Sequence, residues 1–456
     1  MSLQAYTALH RFGLGAAPGD TAVVARDPSG WLLAQLNSRP AAVTYDLPDT
    51  SSLVVQLRDI KKGLKEAKKT DEADSKEMKH IRQDIVLKSQ RARFMQNLNA
   101  PDPFIERLVL FWSNFFTVSM KSKLAVAPTA AAFERDAIRP HVLGSFEEML
   151  VAVTKHPAML MYLDNQISVG PNSRVGQKRD AGLNENLARE TLELHSLGVD
   201  GGYTQKDVVA LANVITGWTV GALRADISKH FPPDAYGFSF APVMHEPGSQ
   251  SVMGKNYAQS GMDQGLAVLH DLAHYPATAK YVAKRMLLHF VSDTPSPQDI
   301  TWLAQVFQSS GGNLREMAAT LVQMPAAWEK PLSKVKTPYE LVISVLKVLQ
   351  IPAAQIPSEK IYGSLKAMDH VPFNAPSPAG WGDTADDWMS GNSLMTRIEW
   401  CHALSQLVGS GVDASALAQD VLNGVITPTT LSSISRAPSG VDGLALLFAS
   451  PEFQRR

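Results

Sequence analysis

Four times in this chain an apolar helical run stops, takes one short step and restarts at a proline. The segments are "GSFEEMLVAVTKHPAMLMYLDN" (144–165), "LAVLHDLAHYPATAKYVAKRMLLHFV" (266–291), "EMAATLVQMPAAWEK" (316–330) and "LALLFASPEFQ" (444–454). Proline lacks the N–H that a helix interior needs but is tolerated in a first turn, so each joint predicts two packed helices meeting at an angle. The expected fold class is therefore mainly α, one large multi-helix domain over 1–456. Spacing and flanks differ among the four joints, so they are not a sequence repeat. "PFIERLVLFWSNFFTVSM" (103–120) opens with proline and is apolar nearly all round, as a buried helix is.

Three segments break this pattern. "YGFSFAPVMHEPGSQSVMGKNY" alternates Phe238 and Phe240, turns through Pro and Gly, and resumes at Val252, which predicts a small inserted β-hairpin at about 236–257. Residues 57–93 hold twelve Lys or Arg against seven Asp or Glu, with the signs interleaved. That composition predicts a protruding, solvated helical hairpin at about 53–98, and 57–93 is also the natural contact surface for a protein partner. Two long irregular stretches, 164–182 and the Pro/Gly/Trp-rich loop 369–392, are of the length that compact domains keep for function. In the second, Trp381 and Trp388 either pin the loop to the core or stack on a ligand.

Bulk properties exclude several functions. A net charge of −1 over 456 residues gives no field that gathers nucleic acid. The lone Cys401 sits in an apolar-periodic run and reads as an inert core thiol, with no disulfide framework or Cys-rich zinc site. No apolar run approaches the roughly 20 residues of a membrane span. "MSLQAYTALHRFGLG" is not a signal peptide, so the sequence as written reads as cytoplasmic, or periplasmic had a leader been removed. "GLGAAPG" (13–19) has the wrong spacing for a dinucleotide loop, and "VDGGYTQKD" (199–207) lacks the alternating oxygen ligands of a calcium loop. P-loop, His-Glu-x-x-His and Gly-x-Ser-x-Gly signatures are absent from the sequence.

The stretch "NENLARETLELHSLGVDGGYTQ" (184–205) concentrates titratable groups. At 100° per residue Leu183, Leu187, Leu194 and Leu197 fall within about 80° of one another, and Glu190 falls between Leu197 and Leu183. Glu185, Arg189 and Glu193 form an i, i+4 ladder on or near the exposed face. His195 sits at the margin of the apolar stripe. A carboxylate among leucines must be paired, hydrogen-bonded or protonated, and desolvation raises its pKa toward that of a general acid or base. Gly198 suits the end of this helix, and Thr204 with Asp207 resembles a capping box for the next.

"NENLARETLELHSLGVDGGYTQKDVVALANVITGW", with "RFGLGAAPGD", "FWSNFFTVS", "HPAMLMYLDN", "GPNS", "HEPG", "PSPAGW" and "LFASPEFQ", resembles the DUF1800 family of bacterial proteins over essentially the whole chain. The resemblance implies no activity, since the family has no assigned function. It does direct attention to the block holding Asn184, Glu185, Asn186, Arg189, Glu190, Glu193 and His195. Many members carry histidines in the tryptophan motif, where this chain has Ser113 and Phe115.

Three functions compete. The first is a hydrolase-like enzyme with Glu190, Glu193 and His195 catalytic, Glu190 being the general acid or base. Its substrate would be positioned by Asn186, Asp164, Asn165, His245 and Trp381. The second is a non-catalytic binding or assembly protein that uses the charged hairpin. The third is an enzyme dependent on a divalent metal held by these Glu, His and Asp side chains.

Overall fold

The computed structural model describes residues 3–42, 48–70, 72–121, 123, 126–178, 182–352 and 355–456, with the side chains of 61, 64–82 and 225–226 outside the description. After short N-terminal helical turns, α1 (Thr50–Thr70) and α2 (Glu72–Leu98) form the expected helical hairpin. Its base is apolar: Val54 and Leu57 enter one core cluster, Phe94 and Leu98 another. The tip, where most of the predicted basic arm lies, falls outside the described side chains.

Next, α3 (Pro103–Phe115) is buried on nearly every side. Its two charged residues are buried too, and each is paired. Glu106 receives both terminal nitrogens of Arg139 at 2.5 and 2.7 Å, and Arg107 reaches Glu340 at 2.5 Å. Such pairing is required, because an unpaired charge at these depths costs several kcal/mol.

The four proline joints are built alike. They link α4 (Phe146–Lys155) to α5 (Pro157–Tyr162), and later in the chain α8 (Met262–Ala273) to α9 (Pro276–Phe290). Further on they link α10 (Leu314–Gln323) to α11 (Ala326–Glu329), and α14 (Gly440–Ala449) to α15 (Pro451–Gln454). The residues before proline are His156, Tyr275, Met324 and Ser450, with φ from −61 to −68° and ψ from 128 to 147°. Proline's ring drives its predecessor out of the helical region, which makes the corner. His156 and Ser450 also cap the new helix, accepting from the N–H groups of Ala158 and Phe453.

Between α5 and α8 lie α6 (Asn186–Glu193) and α7 (Gln205–Val214). Thr204 and Asp207 form the expected capping box at the start of α7. The β-structure there is richer than one hairpin. Strands β1 (Trp218–Val220) and β2 (Phe238–Phe240) pair antiparallel, with Trp218 opposite Phe240. Strands β3 (Gln250–Val252) and β4 (Lys255–Tyr257) form a separate hairpin. Phe238 and Phe240 therefore pair back to Trp218–Val220, and the turn joining β3 to β4 is Met253-Gly254, both at positive φ (51° and 76°). A two-residue turn of that hand matches strand twist, so it closes the local hairpin.

The buried apolar residues form two large clusters and a small third. The first gathers the α3 aromatics with α4 to α10, and the second gathers α12 (Pro338–Val348), α13 (Gly391–Val408), α14 and α15. Cys401 is buried in the second, with burial pushing its thiol up to about 12, so it is inert as expected. Loop 369–392 lies between α12 and α13 and crosses over the end of α3.

Candidate functional site

The helix α6 stops at Glu193, and its buried face is Leu187, Ala188, Thr191 and Leu192. Beyond it the backbone widens, with His195 N–H bonded to Glu190 O and Leu197 N–H to Leu192 O. A regular wheel carried through to Leu197 therefore rotates the predicted stripe. Glu190 sits half-buried on the flank of the true one rather than at its centre. Its carboxyl makes no hydrogen bond or ion pair among the described residues. Burial first, then the neighbouring Glu193 charge, push it up to about 7 against the opposing pull of Arg189.

The other groups of this stretch have partners of their own. Arg189 binds Glu185 and Gln205, each at 3.0 Å, and Glu193 accepts from the Tyr203 hydroxyl at 3.0 Å. His195 is fully buried against the Phe116 ring, with centroids 5.3 Å apart and neither ring nitrogen hydrogen-bonded among the described residues. Burial lowers its pKa to about 3, so it is a neutral ring in an apolar setting.

The remaining sequence candidates are spread out. Asn165 donates to the carbonyls of Ile215 and Trp218, tying its loop to β1. Asp164, at φ 59°, pairs with Lys123. His245 Nδ1 lies 3.0 Å from Thr216 O, and Asn186 is exposed at the start of α6. Trp381 is different, because it lines a cavity.

That cavity, of about 80 Å³, lies where α2, α3, α9, α12 and loop 369–392 meet. Its lining includes Ser113, Asn114, His289, His370, Trp381 and Asp383. The loop is held by a two-way clasp: Asn114 Nδ2 donates to Trp381 O at 2.9 Å, and Trp381 N–H donates to Asn114 Oδ1 at 2.8 Å. Gly380 permits this, since its φ is +83° and a Cβ there would stand 2.5 Å from Asn114 O. Trp388 pins the other side, donating its indole N–H to Gly382 O at 2.9 Å.

Helix α9 presents Arg285 and His289 one turn apart, and both face Asp383. His289 Nδ1 lies 2.7 Å from Asp383 Oδ1, and Arg285 approaches Oδ2 at 3.6 Å. Burial holds His289 below its usual pKa, opposed by the Asp383 charge, while His289 and Arg285 help hold Asp383 ionised. The neutral imidazole therefore donates Nδ1–H to the carboxylate. Its Nε2 is buried with no hydrogen-bond partner among the described residues.

Across the cavity, His370 Nδ1 accepts the Tyr339 N–H at 3.3 Å, which leaves the proton of this ring on Nε2. Burial pushes His370 down to about 3, so it stays neutral. Its ring centroid is 4.9 Å from that of Trp381. Trp381 Nε1 makes no hydrogen bond among the described residues. Two neutral imidazoles, His289 and His370, and the Trp381 indole therefore line one cavity.

Sequence reasoning missed this arrangement because its members come from α3, α9 and loop 369–392, and no local pattern links them. His289 looks like any histidine in an apolar helix, and Asp383 lies 94 positions away. The one legible signal was the length and tryptophan content of loop 369–392.

A second, more open groove of about 500 Å³ is lined by Asp136, His141, Glu147, Lys155, His156 and Tyr236, among others. Neither space is lined by Glu190, Glu193, His195, Asp164, Asn165 or His245. Among the described residues, Glu147, His270 and His274 bring three metal-ligating atoms within 4.8 Å of one another. No helix there is long and apolar enough to cross a membrane.

A family model described as a protein of unknown function, DUF1800, matches residues 7–455. No curated protein and no solved structure matches the chain.

Proposed function

The chain belongs to the DUF1800 family, a membership that carries no reaction, and from the cavity geometry we propose that it is a hydrolytic enzyme with His289 as general base. The observation that carries this reading is the His289–Asp383 pair. Nδ1 is occupied by the carboxylate at 2.7 Å, the buried Nε2 has no hydrogen-bond partner among the described residues, and the ring lines the cavity. An imidazole oriented this way takes a proton from water, and the carboxylate stabilises the imidazolium that forms.

In the proposed reaction His289 Nε2 removes a proton as water attacks an acyl carbon. The oxygen of the tetrahedral intermediate takes hydrogen bonds from His370 Nε2–H and Trp381 Nε1–H. A neutral N–H donor suits that task because it stabilises developing charge without giving up its own proton. When the intermediate collapses, the His289 imidazolium returns its proton to the leaving group. A volume of about 80 Å³ holds the reacting end of a substrate and a water, with the rest of the substrate outside.

A second reading is favoured by Glu190, whose unpartnered carboxyl is pushed up to about 7 and so is about half protonated at neutral pH. In it Glu190 is the acid, with Glu193 and His195 beside it and Asn186 at the helix start. Asp164, Asn165 and His245 lie on other segments, with partners of their own.

One experiment separates the two. The purified chain is assayed against a panel of short-chain aryl esters and amides from pH 5 to 9, alongside His289→Gln, Asp383→Asn and Glu190→Gln. With His289 as base, the rate is level above pH 7 and falls as pH drops through its lowered pKa. His289→Gln then costs about 10²–10⁴-fold. With Glu190 as acid, the rate falls as pH rises through about 7, and only Glu190→Gln abolishes it. Full activity in the folded His289→Gln protein excludes the first reading.

A further inference from the structure

We infer that Glu147, His270 and His274 form a binding site for a zinc-class divalent cation where α4 meets α8, apart from the His289 cavity. The two histidines are i, i+4, His270 on the last turn of α8 and His274 at its C-cap, so their rings lie tilted against each other on one face with centroids 4.6 Å apart. Glu147 enters from the first turn of α4, placed there by its N-cap Ser145. Its two oxygens address both rings, at 3.0 Å from His270 Nδ1 and 3.9 Å from His274 Nδ1.

The hydrogen bonding already prepares one ligand. His274 Nδ1 lies 2.8 Å from the carbonyl oxygen of His270, and a carbonyl only accepts, so Nδ1 carries the proton. The Nε2 lone pair is then the one free for a metal, and because the nitrogen nearest Glu147 is Nδ1 at 3.9 Å, the ring turns to present Nε2 when an ion binds.

Geometry and exposure allow closure on an ion. The three candidate ligand atoms lie within 4.8 Å of one another, whereas ligands on a tetrahedral ion at ~2 Å stand roughly 3.3 Å apart. The side chains need to close by about 1–1.5 Å, within the reach of ordinary rotamer changes. They are free to do so, with His270 56%, His274 39% and Glu147 32% exposed. Two imidazoles and one carboxylate select zinc and its neighbours over magnesium and calcium, which take oxygen ligands. Three protein ligands leave a coordination position for water. Glu147 also lines the groove of about 500 Å³, so that position borders a space a second ligand can enter.

The test uses the untagged full chain stripped of metal with a chelator and then dialysed. Zn²⁺ is titrated calorimetrically, Co²⁺ is titrated by its visible absorption, and Tm is recorded against free Zn²⁺. The expected result is one equivalent of Zn²⁺, four-coordinate Co²⁺ bands and a Tm that rises with free zinc. All three disappear in the His270→Ala/His274→Ala protein and weaken in Glu147→Gln, while His141→Ala retains them. Circular dichroism confirms that each variant is folded. Absence of stoichiometric Zn²⁺ binding overturns the inference, as does binding that survives the double substitution.

Discussion

Glu190 shows how far a residue's environment can be read from sequence. That a carboxyl in this block is desolvated was legible, because a regular helical wheel sets Glu190 between Leu197 and Leu183 in the apolar stripe. Its true setting was not, because α6 ends at Glu193 and the turns beyond it are wider than the wheel assumes. The residue still has a measurable consequence. Its carboxyl ionises at about 7 in the fold against an ordinary value of 4.5, so the folded state holds the proton more tightly over that interval. Stability therefore falls as pH rises from about 4.5 through 7. Glu190→Gln is expected to raise the denaturation midpoint at pH 8 and leave it unchanged at pH 4, with a modest gain because the group is partly solvated. Equal midpoints for the two proteins at pH 8 would show that Glu190 is not penalised by its surroundings.

At the scale of elements, the proline joints were legible because their cause is local. A proline fixes the conformation of the residue before it, and His156, Tyr275, Met324 and Ser450 obey in the same way. The pairing of β2 with β1 was not legible, since it joins segments separated by the 221–237 excursion and no local turn dictates it. The path of loop 369–392 depends likewise on the Asn114 clasp, which only the fold reveals. Gly380 tests that clasp. Alanine there takes a disfavoured left-handed backbone and drives a methyl into Asn114 O, so Gly380→Ala should cost about 1–3 kcal/mol. It should also shift the fluorescence of Trp381. Unchanged stability and emission would mean that the loop is not held as described.

Across the whole molecule, the helical class and family membership could be read from the chain, while the convergence at the cavity could not. Asn114, His289, His370 and Asp383 come from three segments, α3, α9 and loop 369–392, and no periodicity links them. The same tertiary burial leaves a signature in the response to acid. His10, His156, His195, His289 and His370 are all held below the usual imidazole pKa, first by burial. The unfolded chain therefore binds more protons than the folded one below about 6.5. Stability is fully present above that pH and is lost as pH falls toward the folded values, about 3 for His195 and His370. Each such group contributes a slope of up to about 1.4 kcal/mol per pH unit. Urea midpoints should therefore fall steadily from pH 6.5 to 4, less steeply in His195→Phe. A flat profile would contradict the burial of these rings.

Nitrogen-detected NMR of the labelled histidines tests the proposed role of His289, a neutral base oriented by Asp383, without knowledge of the substrate. At pH 7 His289 is expected to be neutral with its proton on Nδ1, to titrate below its usual 6.5, and to lose this tautomer preference in Asp383→Asn. A His289 that is protonated at pH 7, or that carries its proton on Nε2, would contradict the account.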